Sequence, residues 1–360
     1  TGVSGLLWSS DTALYGRPRF MFLDFTGGQK PYLLNEMDNH MGAVTRIAYA
    51  SSTAYFLADQ KRPETRWRTS LPFPVQVVAR VEVIDQISQG KLTTEYRYHH
   101  GYWDGAEREF RGFGMVEQLD SESFERYHIA GLHGDEESFR DVPKEQYSPA
   151  TLTKTWFHQG PVGREFGDWS ETDYTHEYWQ GDPQLLGHTE QVNAFLQTYN
   201  DRGEDRAPSP RNRRIKRDAL RTLRGSVLRS ELYALDDSSR QDRPYTVTEH
   251  SYALREVDAP GTETERKRIF FPYAVAQRTT QWERGDDPLT QFSFTGDYDR
   301  YGNPRRQTQI ACPRGWRTLA DRPAEIDHPD PNHPQAMRRF LATRARSAYA
   351  QRDDAQVYIC

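Results

Sequence analysis

The chain has 360 residues, room for one large or two to three ordinary domains, and a net charge of −5 from 47 Lys+Arg against 52 Asp+Glu, a balance that argues against a general nucleic-acid binder. No apolar run reaches the roughly 20 residues a spanning helix needs, and no charged n-region followed by an apolar h-region opens the chain. Mean hydropathy is low at −0.90 and only 36% of residues are hydrophobic, yet aromatics make up 12%, a combination that fits extended β structure with two largely polar faces and a thin core. In chain order, Gly5–Ser9 and Arg19–Phe25 read as strands, the second ending at Thr26-Gly27-Gly28. Asn35–Gly42 reads as a polar turn and Ala43–Tyr49 as a strand of period two. Val75–Ile84 and Thr93–His99 are strands, Gly101–Gly105 a turn, and Phe110–Glu117 a returning strand whose glycines mark a bulge or a close backbone approach. Gln184–Leu196 and Arg211–Leu223 read as helices, the latter with Gly225 just beyond its end. Strands resume at Ser226–Tyr233, Tyr245–Glu249, Lys267–Pro272, Ala274–Trp282, Leu289–Phe294 and Arg306–Cys312. A Pro/Asp/His-rich loop at 322–334 leads to a short helix or long connection over Gln335–Ala348. The first residue is Thr1, and the chain stops at Cys360 straight after the strand-like Ala355–Ile359, so it reads as a piece of a longer polypeptide.

A loose repeat runs through this order: strand, a turn with Gly, Asp or Asn and Tyr, then strand. It occurs near Asp38, Asn39 and Gly42, at Tyr98–Gly105, and at Tyr298–Asn303. Asn and Gly tolerate the positive φ that hairpin turns need.

The segment Tyr96–Gly114 holds the densest chemistry. Asp104, Glu107 and Glu109 together with aromatics would suit a glycosidase, which flanks a sugar with two carboxylates. The stronger reading is structural: Arg108 and Arg111 pair with these carboxylates across a hairpin while the aromatics pack cross-strand. His99-His100 with Asp104 suggests a metal, but neighbours on a strand point to opposite faces. Asp327, His328, Asp330 and His333 form a second, looser cluster in a proline-rich loop. The basic run Arg206–Arg224 reads as the solvated face of a helix whose Ile215, Leu220 and Leu223 pack inward. Two cysteines make neither a disulfide framework nor a four-ligand zinc site, and Cys312 reads as a packed thiol. Nucleophile-elbow, phosphate-loop, dinucleotide and zincin motifs are absent. Arginine dominates the basic charge, which suits Arg/Glu ladders on the wet face of a sheet.

The run Gly101, Tyr102, Trp103, Asp104, Gly105, then Glu107, Arg108, Glu109, Phe110, Arg111, Gly112, Phe113, Gly114 resembles a signature of the B component of bacterial insecticidal toxin complexes (TcB; the TcdB/TcaC/SpvB-like family). Similar stretches are Glu36–Ile47, Leu71–Val78, Leu223–Arg229 and Asp242–Val247. Tyr298-Asp299-Arg300-Tyr301-Gly302-Asn303-Pro304 is similar to Rhs/YD repeats. The resemblance implies a mainly β fold: a Rhs/YD-like antiparallel shell segment of a hollow β-cocoon, with a few short helices in connections. It divides the chain into the end of a preceding propeller strand (1–10), a middle/N-terminal-like β region (11–165), an irregular or helical connection (166–210) and a middle/C-terminal-like Rhs-type region (211–360). It implies a non-enzymatic shell that encloses a cytotoxic effector with a C component and is delivered through a pore-forming A component docked by the propeller. It implies no cofactor, metal, nucleic acid or direct membrane insertion, and synthesis in a bacterial cytoplasm before release in an extracellular complex. Two other readings compete: the shell of a single-chain Rhs contact-dependent toxin, and a carbohydrate-binding or glycosidase-like β protein.

Overall fold

The computed structural model describes residues 3–10, 19–87, 90–120, 148–163, 169–197, 210–258, 268–316, 340–350, 352–353 and 358–359. The chain forms two compact units, Thr1–Leu152 and Thr153–Cys360.

In the first unit, β1 (Gly5–Ser10) and β2 (Arg19–Asp24) make a two-stranded antiparallel sheet. The strands β3 (Glu36–Asp38), β4 (Ala43–Ser51), β5 (Gln76–Asp85), β6 (Gly90–Asp104) and β7 (Glu109–Asp120) then follow one another as an antiparallel meander. Sequence order equals spatial order, as short connections favour. Four of the ten residues of β5 are valine, and β6 carries Thr93, Thr94 and three tyrosines, β-branched and aromatic types that suit a pleated surface. Helix α1 (Ser52–Asp59) leaves β4 directly and packs on β6. Ser51 caps it, its hydroxyl accepting from Thr53 N at 3.3 Å. The sequence analysis names no element over α1, where Thr53, Tyr55 and Phe56 are β-favouring residue types inside a helix.

The second unit begins within β8 (Ala150–Phe157), which neighbours β11 (Val227–Leu235), and β12 (Thr246–Asp258), β13 (Ile269–Gln281), β14 (Leu289–Tyr298), β15 (Pro304–Cys312) and β16 (Leu341–Arg346) complete the order. Short pairs β9 (Val162–Gly163) with β10 (Trp169–Ser170), and β17 (Arg352–Asp353) with β18 (Tyr358–Ile359), lie outside that sheet. Helix α2 (His188–Gln197) packs on β12, and α3 (Pro210–Arg221) opens on proline, whose fixed φ suits a first turn. Val192, Leu196, Ile215, Ala219, Leu220, Leu223, Leu254 and Phe270 form an apolar cluster that the two helices bury against β12 and β13.

Three sequence expectations are corrected. Gly101–Asp104 belongs to β6, and the turn is Gly105–Arg108, because backbone pairing runs on to Asp104↔Glu109. The segment read as helix or connection over Gln335–Ala348 contains β16, where Leu341–Arg346 pairs residue for residue with Arg306–Ala311. Arg217 in α3 is buried, not solvated. The cluster at 327–333, Arg206, Lys267 and Cys360 lie outside the described residues.

Candidate functional site: the signature hairpin and a buried ionic ladder

The hairpin β6–β7 is built around one register slip. Gly101 pairs with Phe113 and Trp103 with Phe110, so Arg111 and Gly112 together oppose Tyr102. Gly112 takes φ +77°, as a bulge of this kind needs. Gly101 serves close approach: a Cβ there would lie 2.7 Å from the Trp67 ring and 2.9 Å from Leu71. The 67–71 segment uses that approach, with Thr69 Oγ1 donating to Gly101 O at 3.0 Å and Trp103 N donating to Ser70 O at 3.0 Å.

The carboxylates do not form an open acid/base pair. Asp104, 1% exposed, receives the guanidinium of fully buried Arg111. Its Oδ1 also accepts Ala106 N at 3.0 Å and Glu107 N at 3.3 Å, closing the turn. Glu109 Oε2 lies 3.7 Å from Arg111 Nε. Arg111 thus takes the role that sequence reading shared with Arg108, which sits in the turn at φ +53°. Tyr102 is buried beneath Arg111, whose guanidinium carbon lies 5.7 Å from the ring centroid. Phe113 touches Tyr98, Phe110 and Trp67 with centroid separations of 4.8, 5.5 and 6.1 Å. Gly114 is buried within β7, and Gly105 stands in open space in the turn. Tyr98 donates its hydroxyl to Val78 O at 2.8 Å, and burial pushes that phenol up to about 12.

The two histidines part ways. His99 Nδ1 lies 2.8 Å from Asp59 Oδ2, which also accepts Trp67 Nε1 at 2.6 Å. Glu117 Oε2 stands 3.8 Å from His99 Nε2. Burial works against the charged ring, but the Asp59 and Glu117 carboxylates outweigh it and hold the pKa up to about 9. His100, at φ +57°, turns its Nδ1 to accept Arg68 N at 3.1 Å. Among the described residues no group of three or more His, Cys, Asp or Glu is arranged to hold a metal ion.

The Arg/Glu ladder exists, but on a covered face. Backbone register sets Arg229 opposite Glu249 and Glu249 opposite Arg278, across β11, β12 and β13. Glu249 accepts Arg229 Nη1 on one oxygen at 2.7 Å and Arg278 Nε on the other at 3.0 Å. The strap 174–186 lies over this row. Asp182 receives Arg278 Nη1 at 2.8 Å and Trp282 Nε1 at 3.0 Å. Its carbonyl accepts Arg229 Nη2 at 3.1 Å. Trp179 N donates to Glu231 Oε1 at 2.9 Å, and Leu185 N and Leu186 N to Glu249 Oε2, both at 3.2 Å. Arg229 also stacks on Tyr178 at 4.8 Å. Every charge in the row is at most 1% exposed. Sequence analysis placed such ladders in water; the strap's backbone amides and Asp182 replace that water. Beside the strap, an open depression of ≈ 430 Å³ is lined by Glu171, Asp173, Tyr174, Tyr178 and Gln184 among others. Glu171 is bound by His158, and Asp173 caps Thr175 N at 2.9 Å.

The turn at 298–303 closes β14 onto β15. Asp299 N donates to Asn303 O at 3.0 Å, and Asp299 Oδ1 accepts Tyr301 N and Asn303 N, both at 2.9 Å. Gly302 takes φ +88°, and a Cβ there would meet the Phe271 ring at 2.7 Å. Tyr298 donates to Ala274 O at 2.5 Å, and Arg300 lies over the Tyr301 ring at 4.7 Å.

Residues 2–129 match the family model of the insecticide toxin TcdB middle/N-terminal region, and residues 218–360 that of the TcdB middle/C-terminal region, together about three quarters of the chain. The chain belongs to the TcdB insecticide-toxin family. The first match takes in the hairpin 98–114 and the turn 38–42; the second takes in β11 to β16, the ladder residues Arg229, Glu249 and Arg278, and the turn 298–303. This TcdB-family chain is similar to a chain in the Photorhabdus luminescens Tc holotoxin pore, with 28% identity, a TM-score of 0.69, and cover of 99% of this chain and 15% of that one. It is also similar to chains in the crystal structures of TcdB2–TccC3–Cdc42 (28% identity, TM-score 0.66) and TcdB2–TccC3 (27%, 0.62). Those cover 99% and 98% of this chain and 16% of each solved chain. The chain therefore spans about one sixth of the length of the solved chains it matches. No curated protein matches. The mainly β, antiparallel architecture is that of these toxin structures. In the TcdB-family chain, Asp182 and the strap went unnoticed in the sequence, since a Trp-Gln-Gly-Asp-Pro stretch carries no periodicity.

Proposed function

We propose that this chain is a wall segment of a toxin-complex B component. With a C component it encloses a cytotoxic effector, and a pore-forming A component delivers that cargo; the assembly is released from the bacterium. The chain does this without catalysis, cofactor, nucleic acid or membrane insertion of its own. One observation carries the reading: 99% of the chain follows the path of a chain solved as TcdB2–TccC3–Cdc42, at 28% identity. The side-chain chemistry is consistent with it, since buried carboxylates are spent on closing a turn and on joining strands. Asp104 closes a turn onto Arg111, and Glu249 joins three strands.

The test is co-expression of the full-length B component containing this segment with a C component. A closed particle by electron microscopy, with an effector that resists added protease until the particle is opened, is the expected result. An effector digested at the same rate inside and outside the particle sinks the enclosure reading. Turnover of a glycoside or ester panel by the purified B component sinks the non-catalytic reading.

A further inference from the structure

The loop between α1 and β5 is fastened to β6 at four points in chain order. Asp59, the last residue of α1, has Oδ2 2.8 Å from His99 Nδ1, and the same oxygen accepts Trp67 Nε1 at 2.6 Å. Arg68 N donates to His100 Nδ1 at 3.1 Å, Thr69 Oγ1 to Gly101 O at 3.0 Å, and Trp103 N to Ser70 O at 3.0 Å. The far end is closed by Ser52 N donating to Val75 O at 2.8 Å and Val75 N donating to Ser52 Oγ at 3.0 Å. Trp67 sits against Gly101 and meets Phe56 and Phe113 edge-on, with centroid separations of 5.4 and 6.1 Å. Between these anchors, residues 61–64, Arg66 and Arg68 are exposed.

The first of the four anchors depends on a proton. The carboxylates of Asp59 on α1 and Glu117 on β7 face the two ring nitrogens of His99, at 2.8 and 3.8 Å, and all three side chains are at most 17% exposed. The other charged or titratable groups beside them are Arg97, 3.8 Å from Glu117 and 65% exposed, and His100, whose ring lies 6.3 Å away. With its proton the ring turns an N–H towards each carboxylate. Without it, Nδ1–H still reaches Asp59, but Nε2 presents a lone pair to Glu117, and two mostly buried carboxylates lose the cation between them. Returning one carboxylate to water is the least costly relief. Glu117 is fixed in the β6–β7 ladder opposite Arg97, whereas Asp59 ends a helix and opens an exposed loop. Asp59 is therefore the group free to leave.

We propose that residues 59–75 are a clasp that opens in alkali: loss of the His99 proton releases Asp59, and Trp67 with the rest of the loop lifts off β6. The groups involved all lie within the first unit, so the device does not depend on the wall reading. Burial opposes the charged ring, but Asp59 and Glu117 outweigh it and hold its pKa up to about 9. The closed clasp thus binds the proton more tightly than the open one, and opening is favoured as pH rises. Set against the ordinary histidine value, the opening equilibrium grows roughly 50-fold between pH 7 and pH 10.

The test is limited trypsin digestion of the full-length B component containing this segment, from pH 7 to pH 10. Rates are divided by those of an unstructured arginine peptide in the same tube. Cleavage after Arg66 and Arg68 should rise on the order of 50-fold across that range, while Arg80 on β5 and Arg111 on β7 stay protected. Asp59→Asn keeps an oxygen for Trp67 and takes one carboxylate from the ring, so its rise should begin about one pH unit lower or more. A flat ratio for the parent overturns the proposal. So does cleavage after Arg80 and Arg111 that climbs in step with Arg66 and Arg68, because the whole unit and not the clasp would then be opening. An Asp59→Asn profile that coincides with the parent's removes His99 as the trigger and overturns it as well.

Discussion

Asn39 and Asp299 hold the same turn in two separate hairpins. Each donates its backbone N–H to the carbonyl four residues on, Ala43 at 3.1 Å and Asn303 at 3.0 Å. Each side-chain oxygen then accepts the amides two and four residues on: Met41 and Ala43 at 2.8 and 2.9 Å, Tyr301 and Asn303 at 2.9 Å. The fourth residue of each is a glycine at positive φ, +96° at Gly42 and +88° at Gly302. The loose repeat seen in the sequence is therefore a repeated hydrogen-bond pattern at two of its three places. The third differs: Asp104 caps Ala106 and Glu107 and the turn has four residues, Gly105–Arg108.

The glycine requirement gives a paired prediction. Gly302→Ala places a Cβ at an unfavourable φ and 2.7 Å from the Phe271 ring, and should cost about 1–3 kcal/mol. Gly105→Ala meets nothing within 4 Å and should change stability by less than about 0.5 kcal/mol. Urea midpoints of the two variants beside the parent decide it; equal shifts would mean that the turn geometry does not constrain residue 302.

Strands were legible where alternation was long. Val75–Ile84 reads as one strand and is β5; Phe110–Glu117 lies within β7. Lys267–Pro272 and Ala274–Trp282 read as two strands but make one, β13, because the extra residue at Val275 is absorbed as a register shift opposite Ser251 and Tyr252. The strap was illegible for a different reason. Asp182 and Arg278 stand 96 positions apart, and no local pattern reports a partner at that distance. The wet-face ladder expectation failed on this point alone: composition counts arginines but does not say what covers them. In the signature hairpin the residue types were legible and their pairing half so, since Arg111 but not Arg108 closes on Asp104.

The ladder should be costly to break. Arg278→Met removes one partner from Glu249 and one from Asp182, leaving both carboxylates buried and short of charge. Breaking a buried pair in this way costs about 3–5 kcal/mol. Arg46→Ala cuts a pair with Glu36 in which both side chains are half exposed, and should cost less than about 1 kcal/mol. Thermal melts of both variants provide the comparison; a cold-stable Arg278→Met protein with an unchanged midpoint would show that the strap does not depend on the ladder.

His99 gives the first unit a pH dependence. Its folded pKa, about 9, lies above the usual histidine value, so the charged form is bound more tightly in the fold than in the unfolded chain. The stabilisation is whole below about pH 6.5 and is lost as pH rises through about 9. Its size is on the order of 3 kcal/mol. The groups facing the ring are Asp59 from α1 and Glu117 from β7. His99→Gln keeps a polar side chain but cannot titrate. Denaturation midpoints of parent and variant measured from pH 6 to 10 should differ in slope, the parent falling across pH 7–9.5 and the variant staying flatter there. Parallel curves would remove His99 as the titrating group.

Asp104 separates a structural hairpin from a catalytic one. Its carboxylate has two duties in the fold, the charge beneath Arg111 and the acceptor for Ala106 and Glu107 amides. Asp104→Asn preserves an oxygen for the amides and removes the charge that answers a fully buried guanidinium. A loss of about 3–5 kcal/mol follows from taking the nearest counter-charge from that buried ion, with Glu109 at 3.7 Å left beside it. A general acid would behave in the opposite way, with turnover lost on Asp104→Asn and stability kept, because active-site carboxylates are held for chemistry at the expense of packing. Chemical denaturation of Asp104→Asn, run beside hydrolysis of a chromogenic glycoside panel by the parent, distinguishes them. The hairpin geometry predicts a lowered midpoint and background hydrolysis in both proteins.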